Sequence, residues 1–124
     1  MEIELDGATR LVPIVGDPIA QVKSPAGMSA AFAAAGRNTL VAPAHVAPAD
    51  LATWMAGLAV TRNVDGAIVT IPHKFAVHGW CATASERAHF LKAVNVLRRN
   101  PDGSWHGDMF DGLGFVTAAK KAGC

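Results

Sequence analysis

The sequence predicts an α/β fold: a three-layer α/β/α arrangement with a mostly parallel sheet and one antiparallel hairpin element. Three observations carry this expectation. Short β-branched runs alternate with segments of helical period over the first two thirds of the chain, the pattern of a parallel sheet covered on both faces. A turn-forming stretch, Asn100-Pro101-Asp102-Gly103, separates two short apolar runs, as in a hairpin. At 124 residues, with 51% hydrophobic and 17% charged residues, the chain has the length and apolar content of one folded domain.

The elements follow in order. Leu11-Val12-Pro13-Ile14-Val15 is apolar, partly β-branched and stopped by Gly16-Asp17-Pro18, so it reads as a buried strand entering a turn. Ser24-Pro25 has the composition of a helix start, with proline at the first helical position where its missing N–H costs nothing. Met28, Phe32 and Ala35 share a face of that helix, and Gly36 ends it. Thr39 to Ala44 is a second strand, and Ala47-Pro48 opens a helix whose Leu51, Trp54, Met55 and Leu58 form a 3.6-period stripe.

A third strand is expected from Val64 to Ile71, closed by Pro72, which has no donor to extend a ladder. Short helices follow at Phe75 to Trp80 and Glu86 to Leu91. The hairpin pairs Val94-Asn95-Val96-Leu97 with the stretch around Ser104-Trp105-His106, and a last helix starts near Asp111-Gly112.

Charge and composition exclude several classes. A net charge of +1, thinly spread over both signs, offers neither a basic stripe for nucleic acid nor a polybasic segment for a membrane surface. No apolar run is long enough to span a bilayer, and the acidic start Met1-Glu2-Ile3-Glu4 is unlike a secretory signal, so the expected location is cytoplasmic. Cys81 and Cys124 form no CxxC pair, and the five histidines lack the i, i+4 spacing of a helical metal site, so no metal is expected. Gly112-Leu113-Gly114 fails as a dinucleotide loop because Thr117 stands at the third glycine position, and no GxxxxGK[ST] occurs.

In a parallel α/β sheet, ligands collect at the carboxyl ends of the strands. Three polar clusters fall there: Asp17 to Ser24, Thr70 to Lys74, and Asn95 with Asp111. Lys74 alone is equally a surface lysine after a turn, Asp111 a helix cap, and Ser24 an N-cap. As a pair, Lys74 and Asp111 have the chemistry to hold an ammonium that exchanges a proton with a substrate oxygen.

The blocks Gly16-Asp17-Pro18-Ile19, Ser24-Pro25, Phe32, Val69-Thr70-Ile71-Pro72-His73-Lys74, Ala93-Val94-Asn95 and Asp111-Gly112-Leu113-Gly114-Phe115, in this order, resemble the substrate-binding domain of the shikimate dehydrogenase family. The likeness runs from about Val12 to Gly123. It implies that residues 1–124 form a substrate-binding, catalytic domain and that a Rossmann domain holding NADP(H) lies outside this chain. It also implies the interconversion of 3-dehydroshikimate and shikimate, or of a related cyclic hydroxy acid. Lys74 matches the catalytic lysine and Asp111 its partner; Thr70 and Asn95 match residues that bond ring hydroxyls; Ser24 matches the second of two serines on the carboxylate.

The sequence departs from the family pattern at four places. Val22 stands at the first serine position, Ile68 replaces an asparagine before Val69-Thr70, and Met109-Phe110 replace an asparagine–threonine pair. Apolar residues at hydrogen-bonding positions predict weaker shikimate binding or a less hydroxylated acid. The expected partner is thus a small cyclic acid, with neither nucleic acid nor membrane, and self-association into a homodimer is compatible with the apolar surface a missing domain leaves. The competing reading is a stand-alone module that binds a small cyclic carboxylic acid without catalysis.

Overall fold

The computed structural model describes residues 4–20 and 24–110. Val22, Asp111 and the helix expected from Asp111 lie outside the described residues. Six strands make one sheet in the order β2-β1-β3-β5-β6-β4, from β1 (Arg10–Gly16), β2 (Thr39–His45), β3 (Gly66–Val69), β4 (Thr83–Ala84), β5 (Val96–Arg99) and β6 (Trp105–Asp108). Helices α1 (Ser24–Ala34), α2 (Leu51–Val60), α3 (Lys74–His78) and α4 (Glu86–Leu91) connect them. β1 is parallel to β2 and β3, and β4 is parallel to β6. β5 alone runs against both its neighbours, β3 and β6.

Strand alternation sorts side chains to two faces. Val12 and Ile14 of β1, Val41 of β2 and Ile68 of β3 point one way and pack with Ile19 beneath Phe32 and Met28 of α1. Val15, Ala67 and Val69 point the other way, toward Leu51, Met55 and Leu58 of α2, with Val77, Ala88, Val94, Leu97 and Trp105 completing that core. Two apolar layers, one on each side of the sheet, make the expected three-layer architecture, and each fully buried large side chain contributes about 1.5–3 kcal/mol. Ser29 of α1 seats its helix on the edge strand: its buried hydroxyl accepts from Val41 N at 2.9 Å and donates to Val41 O at 3.2 Å. That bond pair covers backbone groups an edge strand otherwise exposes.

Several boundaries differ from expectation. The strand predicted over Val64 to Ile71 occupies only Gly66–Val69; Val64 makes an isolated bridge to Leu11, and Thr70 already bonds sideways to the end of β1. α2 is preceded by a separate 3₁₀ turn at Pro48–Asp50. α3 starts at Lys74, one residue before the expected Phe75. α4 matches its prediction, with the Ser85 hydroxyl accepting from Ala88 N and Lys92 closing it at φ 53°. Among the described residues no helix is long and apolar enough to cross a membrane.

Cys81 lies between α3 and β6, with its thiol 3.5 Å from Val77 O. Burial, followed by the negative charge of Asp108, pushes that thiol up to about 11. Almost no thiolate is then present at pH 8, so in a Cys124→Ser protein Cys81 should resist alkylation until the fold opens. Because the folded protein keeps this proton longer than the unfolded one, stability falls as pH rises from 9 toward 11. Cys81→Ala should flatten that part of the stability curve in urea titrations at successive pH values; an unchanged slope would contradict the assignment.

Candidate active site

The direction of β5 creates the site. The carboxyl ends of β1, β2, β3 and β6 lie along one margin of the sheet, and the reversed β5 brings its amino end, preceded by Asn95, to the same margin. Polar residues that follow strands are therefore gathered here although they come from positions 16 to 110.

Backbone bonds lace this margin together. Thr70 N donates to Val15 O at 2.9 Å, Asp17 N to Ile71 O at 3.1 Å, Val46 N to Gly16 O at 3.1 Å, and Val69 N to Asn95 O at 2.8 Å. Gly16 is required by close approach: a Cβ there would land on the Thr70 Cγ2 methyl and lie 3.2 Å from Ile71 O. The Asp17–Pro18 and Ile71–Pro72 peptides are both cis. His73, 1% exposed, reaches back across β1 to the end of β2, with Nε2 at 2.6 Å from Val46 O. A carbonyl only accepts, so Nε2 carries the hydrogen. His73 thus anchors the turn that delivers the next residue, Lys74.

Lys74 is half-buried at the start of α3, and its own carbonyl accepts from Val94 N at 2.9 Å. Among the described residues no carboxylate pairs with its ammonium. Asn95 is 6% exposed; its backbone N–H donates to Asp108 O at 3.0 Å, and its side chain bonds the Phe110 peptide on both sides. Thr70 is half-buried against Gly16. Thr70, Lys74 and Asn95 are therefore brought to one place, at the middle of the sheet, and α1 opens at Ser24 after the loop leaving β1.

Two sequence expectations change in meaning. Ile68 belongs to the core under α1 and is 6% exposed, so its difference from the family pattern falls within the packing beneath that helix. Met109 packs against the opposite core. Sequence reasoning also missed a hydrogen bond on this margin, between His45 Nε2 and Asp17 Oδ1 at 2.6 Å, whose members are 28 residues apart and share no motif.

The described residues hold no glycine-rich turn between strand and helix; the loops leaving β1 and β3 carry Asp17-Pro18 and Ile71-Pro72 where a dinucleotide would need bare backbone N–H groups. The arrangement suits a small polar ligand handled by an ammonium, a hydroxyl and an amide.

Comparison with known families agrees with this geometry. The family described as the shikimate dehydrogenase substrate binding domain matches residues 14–97. The chain belongs to this family. Among relatives of this shikimate dehydrogenase domain, a Synechococcus sp. protein named shikimate dehydrogenase (NADP(+)) is 42% identical over 116 residues, which cover 94% of this chain and 40% of that protein. The chain thus spans about two fifths of the length of the curated relatives it matches. A crystal structure of shikimate 5-dehydrogenase from Listeria monocytogenes, in complex with shikimate and NAD, is similar with a TM-score of 0.83 and 28% identity, over 99% of this chain and 42% of that one. The ligand-free 5-ketofructose reductase of Gluconobacter sp. is similar at TM-score 0.79 and 26% identity, over 91% and 40% of the two chains.

Proposed function

We propose that this chain is the substrate-binding domain of an NADP(H)-dependent oxidoreductase that interconverts 3-dehydroshikimate and shikimate or a related cyclic hydroxy acid. The observation that carries the reading is the convergence of Lys74, Thr70 and Asn95 at one margin of the sheet, in a chain of this family. In the reductive direction the Lys74 ammonium donates a proton to the ketone oxygen as the carbon becomes an alcohol, and in the oxidative direction the amine takes that proton back. Asp111 holds the ammonium in place, the Thr70 hydroxyl and the Asn95 amide bond ring hydroxyls, and the Ser24 hydroxyl bonds the carboxylate. The described residues offer no glycine-rich turn for a dinucleotide, so the nicotinamide nucleotide, which supplies hydride exchange, is assigned to a separate domain.

Val22 sets the expected weakness. Without a second serine hydroxyl the substrate carboxylate has one donor fewer, and a hydrogen bond to a charged group contributes about 1.5–3 kcal/mol. The full-length protein should form NADPH from NADP⁺ and shikimate, with a KM that falls roughly tenfold or more in Val22→Ser. Nicotinamide absorbance with shikimate, quinate and less hydroxylated analogues checks this. Absence of turnover with every cyclic hydroxy acid would sink the reading. Because a structural relative is named for reduction of a ketose, 5-ketofructose belongs in the same screen.

A further inference from the structure

We infer that His78 and His89 form a two-imidazole chelate for a divalent transition-metal ion of the zinc, nickel or copper type. His78 is the last residue of α3, and His89 lies in the last turn of α4, eleven positions further on. The i, i+4 spacing of a helical metal site is absent, and packing supplies the pair instead. Val77 and Ala88, the residues immediately before the two histidines, are both fully buried in one core, which holds the two helices against each other. The side chains that follow meet at the rim of that core, His78 half-buried and His89 exposed. His78 Nε2 lies 3.2 Å from His89 Nδ1, with the ring centroids 5.3 Å apart and the ring planes at 89°.

That separation is the bite of a chelate. Two imidazole nitrogens each about 2.0–2.1 Å from one ion stand roughly 2.9 Å apart at the octahedral angle and roughly 3.4 Å apart at the tetrahedral angle, and 3.2 Å falls between. Without an ion, one of the two nitrogens donates to the other. Placing the hydrogens on His78 Nδ1 and His89 Nε2 instead leaves two lone pairs at the same gap, and a modest turn of each accessible ring aims both at one ion. Imidazole suits zinc, nickel and copper, whereas magnesium and calcium take oxygen ligands, so donor type makes the site selective. Among the described residues no third metal-ligating side chain joins the pair, and water takes the other coordination positions, so the ion is exchangeable. His78 closes the five-residue helix that Lys74 opens, and a bound ion therefore ties α3 to α4.

The test uses the full-length protein without a histidine tag, in a buffer that does not chelate, with Ni²⁺ as the probe. Isothermal titration should show Ni²⁺ binding that weakens at least about tenfold in His78→Ala and to the same extent in His89→Ala, because one imidazole alone is no chelate. Mg²⁺ should give no such binding. Ni²⁺ should also raise the melting temperature of the parent by at least about 2 °C and leave both variants unmoved, since it binds the folded pair. Binding that survives either substitution overturns the inference, and so does the absence of binding up to about 1 mM Ni²⁺, the result expected of two histidines that only share a hydrogen bond. If an alanine variant does not fold, paramagnetic broadening in the unsubstituted protein decides. Ni²⁺ should then broaden the imidazole signals of His78 and His89 ahead of those of His45, His73 and His106, and equal broadening of all five, or none, overturns the site.

Discussion

Lys74→Met in the full-length protein should lower kcat for shikimate oxidation by about 10²–10⁴-fold, with a much smaller change in KM, the range expected when a positioned proton-transfer group is removed. Methionine is the informative replacement because it keeps the unbranched stem and the helix propensity while deleting the ammonium. The backbone of Lys74 makes the structural contact here, through its carbonyl to Val94 N, and that bond survives the substitution. Thermal stability should accordingly stay within a degree or two of the parent, as for changes that remove no buried partner. Steady-state kinetics beside a melting curve reads both. Turnover within threefold of the parent would show that Lys74 is a surface lysine following a turn.

Elements defined by period or by a block of β-branched residues were legible: β1, β2, α2 and α4 fall where their residues place them, and Phe32 and Met55 are core as their spacing implies. β4 was not, because Thr83–Ala84 is a two-residue strand whose pairing comes entirely from β6. The reversed direction of β5 against β3 was also hidden, since periodicity carries no sense of direction and only tertiary packing selects it. At the candidate site, Lys74, Thr70 and Asn95 could be named from motifs in order. The bonds from His73 to Val46, Asp17 to His45 and Asn95 to Phe110 could not, because each joins positions 15 to 28 residues apart with no spacing rule to announce it. Ile68 shows the converse, a motif position whose side chain forms part of the core, which no motif announces.

Arg99→Met should destabilise the fold by roughly 3 kcal/mol, a loss at the upper end for a residue that touches no ligand. Arg99 ends β5, and its guanidinium serves five carbonyls. Nε donates to Val64 O at 2.9 Å, Nη1 to Ala59 O and Gly103 O at 3.2 and 3.1 Å, and Nη2 to Leu58 O and Thr61 O at 2.9 and 3.1 Å. Leu58, Ala59 and Thr61 belong to the last turn and cap of α2, whose carbonyls carry its negative dipole end; Leu58 O also accepts from Thr61 N and Thr61 O from Val64 N, each at 3.2 Å. The planar cation also lies over the Trp105 ring, 4.3 Å from its centroid, for about another 0.5–1 kcal/mol. Lysine cannot reproduce the fork, so Arg99→Lys should recover less than half of the loss. Urea unfolding of the full-length protein measures it, and a midpoint unchanged by Arg99→Met would contradict the account. Because β5 starts at the candidate site and finishes at Arg99, this residue works at the opposite margin of the sheet, where α2 turns into β3. Below the melting transition its loss should therefore leave kcat and KM for shikimate unchanged, the inverse of the pattern expected at Lys74.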